Sequence, residues 1–270
     1  MFGWEPVILT FTGSRNGLGR ILVFAGHDRR KVYDLLLSRN SELRNFFMTR
    51  AINYDLDVRT TTDDWPYLYL KGLSIPKMHL SFTLILLFMF FLSRGTFFAK
   101  GQGLNWHFFF LGAAFLFLEF QNINKTALLF GSTWLVNSIN ISAILILILL
   151  ANLCVAVLKI RDIKVPYVLL AISLLVIFLV PLSHYNFLGY WQKSILASLV
   201  LNLPIFFAGI IFVVSFKNSR HKNLAFGSNL LGSVAGGLME SLAFVIGIRM
   251  LVLVTLALYG LSFAFRRDTG

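Results

Sequence analysis

The chain has 270 residues, of which 57% are hydrophobic and 13% are charged. This composition excludes an intrinsically disordered protein and is not that of an ordinary soluble domain. Lysine and arginine total 24 against 12 acidic residues, which gives a net charge of +12. In membrane proteins such cations lie in loops, where they determine the orientation of the spans and bind anionic lipid headgroups. Because no aromatic-basic RNA-binding motif accompanies the charge, we expect membrane lipids rather than nucleic acid as its partner.

Residues 1–77 are the most polar part of the chain and predict a small α+β head. Two β-rich runs, residues 7–12 and 20–25, flank a glycine-containing loop and predict an antiparallel hairpin. Helices are predicted over residues 28–39 and from Ser41 onward. Further along, Trp65 and its neighbours predict an extended segment at the membrane surface, where aromatic side chains are favoured.

Residues 78–270 predict a helical membrane domain. A bilayer core of about 30 Å needs about 20 apolar residues per helix, and the central stretch, residues 106–158, is long enough for two spans with a turn between them. The predicted spans are residues 79–98, 106–130, 134–158, 165–184, 193–216, 226–246 and 248–265. The expected fold class is therefore an all-α polytopic membrane protein of about seven transmembrane helices with a small N-terminal α+β head.

Polar residues interrupt the second and third predicted spans. They are Glu119, Gln121, Asn122, Asn124 and Lys125, followed by Asn137 and Asn140. Charged groups near the membrane midplane normally face protein or water, which predicts that Glu119 and Asn122 share a face directed toward other helices. Two interpretations are open. The cluster forms a midplane site for a transported solute, or it forms interhelical hydrogen bonds worth about 0.6 kcal/mol each, with Lys125 bonding Gln121 one turn earlier. The absence of a second charged pair that would make a relay favours hydrogen bonding.

Two further patterns concern helix packing. Ser228, Gly232 and Gly236 recur at four-residue spacing and predict a face of small residues that lets a neighbouring helix approach closely. Glu240 and Arg249 flank a bend, and an ion pair between them is a structural explanation for both charges.

Loop charge predicts the topology. Four connections are rich in lysine and arginine: Arg94 with Lys100, residues 159–164, residues 217–222, and Arg266 with Arg267. With seven spans all four lie on one side, so the positive-inside rule predicts a cytoplasmic C-terminus and an extracytoplasmic head. If residues 79–98 lay in the interface instead, the head would be cytoplasmic. We expect an integral protein of a bacterial cytoplasmic (inner) membrane.

Catalytic signals are lacking in the sequence. The single cysteine, Cys154, allows neither an intrachain disulfide nor a multi-cysteine metal site. The five histidines are scattered along the chain, and His107 beside Trp106 is interpreted as an interfacial residue. No HExxH, GxSxG or clustered carboxylate pair occurs. We therefore predict no catalytic residue, no metal and no cofactor.

Three separated motifs carry a resemblance. Residues 63–70 (DDWPYLYL) with 74–76 (SIP), residues 127–137 (ALLFGSTWLVN) and residues 229–237 (NLLGSVAGG) occur in that order. In this order they resemble membrane-embedded spermidine synthase-like (polyamine aminopropyltransferase-like) proteins. Those proteins couple a class I methyltransferase-like domain to a multi-helix membrane region. The resemblance implies that the head corresponds to the end of that domain. The family's Gly-rich strand-to-helix turn and its acidic cofactor residues have no counterpart in this sequence, so the resemblance does not carry aminopropyl transfer onto it.

Three functions remain open. The first is a non-catalytic scaffold or accessory subunit of a larger membrane complex, with lipids and other membrane subunits as partners. The second is a transporter of a small molecule such as a polyamine, which the polar cluster would serve. The third is the membrane half of a split spermidine synthase-like enzyme.

Overall fold

The computed structural model describes residues 7–11, 20–24, 61–67, 70–97, 103–131, 134–180 and 190–266. Contacts divide the chain into two compact units, Met1–Val58 and Arg59–Gly270. By these contacts residues 59–77, which the sequence pattern places in the head, belong to the helical unit.

The described part of the first unit is a hairpin. Strands β1 (Val7–Phe11) and β2 (Arg20–Phe24) pair antiparallel, with Val7 opposite Phe24. The glycine-containing loop and both predicted helices lie outside the described residues. The α+β character of the whole head therefore stays a prediction.

The described part of the second unit is helical. Its helices are α1 (Lys77–Phe97), α2 (Trp106–Phe130), α3 (Trp134–Leu158), α4 (Lys164–Leu179), α5 (Tyr190–Asn218), α6 (Lys222–Met239), α7 (Ala243–Ile246) and α8 (Leu251–Ala264). A 3-10 turn, Glu240–Leu242, joins α6 to α7. These segments follow the predicted spans closely, apart from the break before α7.

Three of these helical segments are long and apolar enough to cross a membrane: Val136–Leu158, Ala197–Asn218 and Lys222–Ile246. The apolar parts of α1, α4 and α8 are shorter. Helix α2 has 25 residues, but its polar residues keep it out of that group. The coarse expectation of a helical protein with helices that could span a membrane is therefore met, while the number seven is not shown.

Helix α2 is the centre of the helical unit. It packs against α6, α8, α5 and α3, and α5 in turn packs against α3 and α4. Its central side chains are almost fully enclosed, with Ala114 and Phe117 at 0% exposure. The apolar side chains of α2 lie on several of its faces, which suits the helix to burial on several sides. By contrast, α1 exposes large apolar side chains along its length, from Met78 to Leu92.

The contact between α2 and α6 depends on glycine. A Cβ atom on Gly232 would overlap the carbonyl group of Phe109, and one on Gly236 would overlap that of Ala113. At the end of this face the Ser228 hydroxyl accepts a hydrogen bond from the backbone N–H of Asn105 at 3.0 Å. The structure thus places the predicted small-residue face directly on the backbone of α2.

Candidate functional site

The segment before α1 packs on α7 and on the turn that joins α7 to α8. Trp65 is 2% exposed, and its indole Nε1–H donates to the carbonyl oxygen of Phe244 at 2.8 Å. The Tyr67 ring packs on the Phe244 ring with centroids 4.5 Å apart. The indole is therefore enclosed by protein and its N–H is satisfied there, while the position of this segment relative to the membrane stays a prediction.

Asp64 holds the other side of this junction. Its carboxylate Oδ1 accepts from the backbone N–H of Arg249 at 2.6 Å, and its carbonyl oxygen accepts from Ile248 N–H at 2.8 Å. Gly247 has φ +84°, and a Cβ atom on it would lie 2.7 Å from the Asp64 carboxylate. A carboxylate just before α8 is also favoured by the helix dipole. No sequence pattern identified Asp64 as a contact of this turn.

The predicted ion pair between Glu240 and Arg249 is not formed among the described residues. Glu240 instead accepts from the Asn124 side-chain amide at 2.7 Å. The Arg249 guanidinium lies 4.8 Å from the centroid of the Phe178 ring, and its Nε donates to the Phe178 carbonyl oxygen. The break after α6 separates the two charges, so each finds a partner on a different helix.

One group of interior polar contacts joins α2 to α8. The Gln121 side-chain amide donates to the Thr255 hydroxyl at 2.5 Å and to the Leu251 carbonyl oxygen at 3.3 Å. Both Gln121 and Thr255 are 0% exposed. The predicted bond between Gln121 and Lys125 is not formed, because neither the Lys125 ammonium nor the Gln121 side-chain oxygen has a hydrogen-bond partner among the described residues.

A second group joins α2, α5 and α3. The Asn122 amide donates to the Leu201 carbonyl oxygen at 2.7 Å and to the Asn202 side-chain oxygen at 3.2 Å. The Asn202 amide then donates to the Asn140 side-chain oxygen at 3.0 Å. Sequence reasoning named Asn122 and Asn140 but missed Asn202, although an asparagine between the apolar residues Leu201 and Leu203 is itself a signal.

Lys125 stands apart from this pairing. The residue is 4% exposed, and its ammonium forms no hydrogen bond with any described residue. The Asp64 carboxylate is within electrostatic range but forms no ion pair with it. Buried oxygens of Gln121 and Asn122 are also without partners in the described part of the chain.

Two members of the predicted cluster lie outside the network. Glu119 is half-buried and has no hydrogen-bond partner among the residues that the structure describes. Asn137 is also half-buried, and its side-chain oxygen is enclosed without a partner there.

A further polar contact joins α2, α4 and α8. His107 Nδ1 lies 2.8 Å from the Ser262 carbonyl oxygen, and the Ser262 hydroxyl lies 3.0 Å from the Tyr167 hydroxyl. His107 is 6% exposed and so is enclosed by protein, while its interpretation as a residue of the membrane interface stays a prediction. Sequence spacing gave no sign of this contact, because its three members are far apart in the chain.

A cavity of about 800 Å³ lies beside the start of α1. Its walls are formed by α1, the Pro66–Tyr67 segment, α2, the end of α6, the 3-10 turn, α7 and the turn before α8. Asn124 and Glu240 are the members of the predicted site that line it. It is therefore distinct from the enclosed network around Asn122.

The described residues contain no group of three or more histidine, cysteine, aspartate or glutamate side chains that could hold a metal ion. Comparisons with protein-family models, with curated proteins and with solved structures found no match.

Proposed function

We propose that this chain is a non-catalytic integral membrane protein that serves as a scaffold or accessory subunit of a larger membrane complex. The observation that carries this role is the pairing of interior polar side chains between helices. The side-chain amides of Gln121, Asn122 and Asn202 donate hydrogen bonds to α8, α5 and α3, respectively. Such bonds fix helix positions, which is the task of a scaffold.

The exterior of the helical unit supports the same role. Helices α1 and α3 expose apolar side chains such as Phe88 at 61% and Leu149 at 67%. Large exposed apolar surfaces mark contacts with membrane lipids or with other proteins. Both are the partners that an accessory subunit would have.

Purification from the native membrane tests the proposal. A C-terminally tagged chain is extracted in a mild detergent, passed through two successive separations, and analysed by mass spectrometry for every polypeptide retained. We expect other membrane proteins at a constant ratio to this chain. Recovery of the chain as an oligomer of itself alone would contradict the proposal.

A transporter is the second candidate, and Lys125 is the observation that favours it. The Lys125 ammonium is buried without a hydrogen-bond partner among the described residues. Burying an unpaired charge costs free energy, and such charges inside membranes usually have a function. Solute flux into liposomes that contain the purified chain alone would support a transporter and is not expected of a scaffold.

The resemblance to spermidine synthase-like proteins leaves the split enzyme as a third candidate. The same purification distinguishes it, because the enzyme would be recovered with a separate polypeptide that binds an S-adenosyl cofactor.

For localisation we propose a bacterial cytoplasmic membrane, an extracytoplasmic head and a cytoplasmic C-terminus. Cysteines introduced at Ser14 and Thr269, in a Cys154→Ala background, are probed with an impermeant maleimide on intact cells. Labelling at position 14 alone is expected from the loop charges. Labelling at position 269 alone would reverse the orientation.

A further inference from the structure

We propose that the cavity beside the start of α1 binds an ammonium group carried on an apolar chain. Its volume of about 800 Å³ falls within the range of about 300–1,000 Å³ that is usual for small-molecule sites. All of its named walls belong to the helical unit.

The charge in this cavity is negative. Among the described lining residues Glu240 is the one carboxylate, and no lysine or arginine accompanies it. The Asn124 amide donates to Glu240 Oε1 at 2.7 Å and so orients the carboxylate. The other oxygen, Oε2, has no hydrogen-bond partner in the described part of the chain and remains available to a ligand.

The backbone adds to the attraction for a cation. Glu240 is the C-cap residue of α6, and the C-terminal end of a helix carries a partial negative charge. A carboxylate at that position is unfavourable unless a cation is near. Two nearby cations are directed elsewhere, since Lys125 is enclosed in the interior and Arg249 lies over Phe178.

Aromatic rings complete the recognition of an ammonium group. Tyr67, Phe82 and Phe244 all line the cavity. The Tyr67 and Phe244 rings are tilted by 57°, and the His79 ring stands edge-on to Phe244 at 4.9 Å. Aromatic rings are usual partners of alkylammonium groups.

The remaining walls favour an apolar tail. Met78 and Leu128 line the cavity and are 68% and 39% exposed, so the space is continuous with the apolar exterior of α1 and α2. The same chemistry could come from two sources: a free amphiphilic amine, or the headgroup of an amine-containing lipid.

The probe is radiolabelled dodecyltrimethylammonium, measured by equilibrium dialysis against the full chain in dodecyl maltoside micelles, whose headgroups are uncharged. Protein-free micelles give the background. We expect saturable binding that the neutral carbon isostere, 2,2-dimethyltetradecane, does not displace. Added phosphatidylethanolamine distinguishes the sources, since displacement assigns the site to a lipid headgroup and its failure to displace assigns it to a free amine.

Glu240→Gln should weaken probe binding by about tenfold or more, because it removes a charged contact. Glu119→Gln is the matched control: it removes a half-buried carboxylate of the same helical unit that does not line the cavity, and it should leave binding unchanged. Phe244→Leu should weaken binding by about threefold through loss of the ring face, while the carbonyl that bonds Trp65 remains.

Equal affinity of Glu240→Gln and the wild type, in variants with the wild-type circular dichroism spectrum, would overturn the proposal. So would equal losses in Glu240→Gln and Glu119→Gln, since these would show a general effect of charge. Absence of saturable binding to the wild type would overturn it as well.

Discussion

At the scale of single residues, Trp65 fixes the segment before α1 with one indole hydrogen bond. Trp65→Phe keeps an aromatic ring but leaves the Phe244 carbonyl without this donor, which should lower the free energy of unfolding by about 1–3 kcal/mol. Trp134→Phe is the control, because Trp134 is 80% exposed, and should have little effect. Thermal unfolding followed by far-ultraviolet circular dichroism measures both. Equal stability of the two variants would contradict the role of Trp65.

The bond between Asn122 and Asn202 gives a second prediction at this scale. A double-mutant cycle with Asn122→Ala and Asn202→Ala should yield a coupling energy of about 0.6–1.7 kcal/mol, as expected for an interhelical hydrogen bond in a membrane protein. Reversible unfolding of the purified chain is the measurement. The control cycle pairs Asn122→Ala with Asn152→Ala, because Asn152 is exposed and bonds within its own helix. Strict additivity in the first cycle would show that the bond does not stabilise the bundle.

The sequence predicted part of this residue-level picture. Asn122 and Asn140 were identified because an amide in an apolar span needs a partner. Asn202 could have been noticed as an amide in an apolar run, but its pairing with Asn122 and Asn140 could not be derived, because it depends on which helices are adjacent. The same holds for the pairing of Gln121 with Thr255. Asp64 was missed for a related reason: its partner at residue 249 is far away in the chain, and only the folded turn brings them together.

At the scale of elements, the close approach of α6 to α2 is set by glycine. Gly232→Ala places a methyl group against the Phe109 carbonyl and should destabilise the protein by about 1–3 kcal/mol, because backbone must move. Gly227→Ala is the control on the same helix. A Cβ atom there meets nothing within 4 Å, so the variant should be neutral or stabilising by up to about 1 kcal/mol. Thermal unfolding midpoints compare the two, and a Gly232→Ala variant as stable as Gly227→Ala would contradict the packing.

Helix positions were predicted well from apolar run length, because helical segments in a chain of this composition begin and end where polar turns interrupt the apolar runs. Helices α4 and α8 have 16 and 14 residues and are shorter than the spans predicted there. In α2 the polar residues of the predicted cluster also lower the mean hydropathy of the helix. Their burial between helices explains how such a helix can lie at the centre of the unit.

At the scale of the whole molecule, the division of the chain differs from the division of its composition. Polarity changes near residue 77, but the contacts divide the chain between Val58 and Arg59. The reason is the aromatic segment around Trp65, which is polar in composition yet packs on the helices through the indole of Trp65. The composition of a stretch gives only its average polarity. It does not show that a single side chain, here the Trp65 indole, is buried against the helices.

In the proposed function the interior polar groups serve assembly rather than passage of a solute. The variant Lys125→Met separates the two roles, because Lys125 is a buried charge that a solute site would need and that a scaffold would not. Replacing a buried charge with an apolar side chain of similar length is often neutral or stabilising. Native mass spectrometry of the extracted variant should therefore show the wild-type partners at the wild-type ratio, with an unfolding midpoint equal to or above that of the wild type. A variant that folds normally but abolishes a solute flux measured with the wild type would contradict the account.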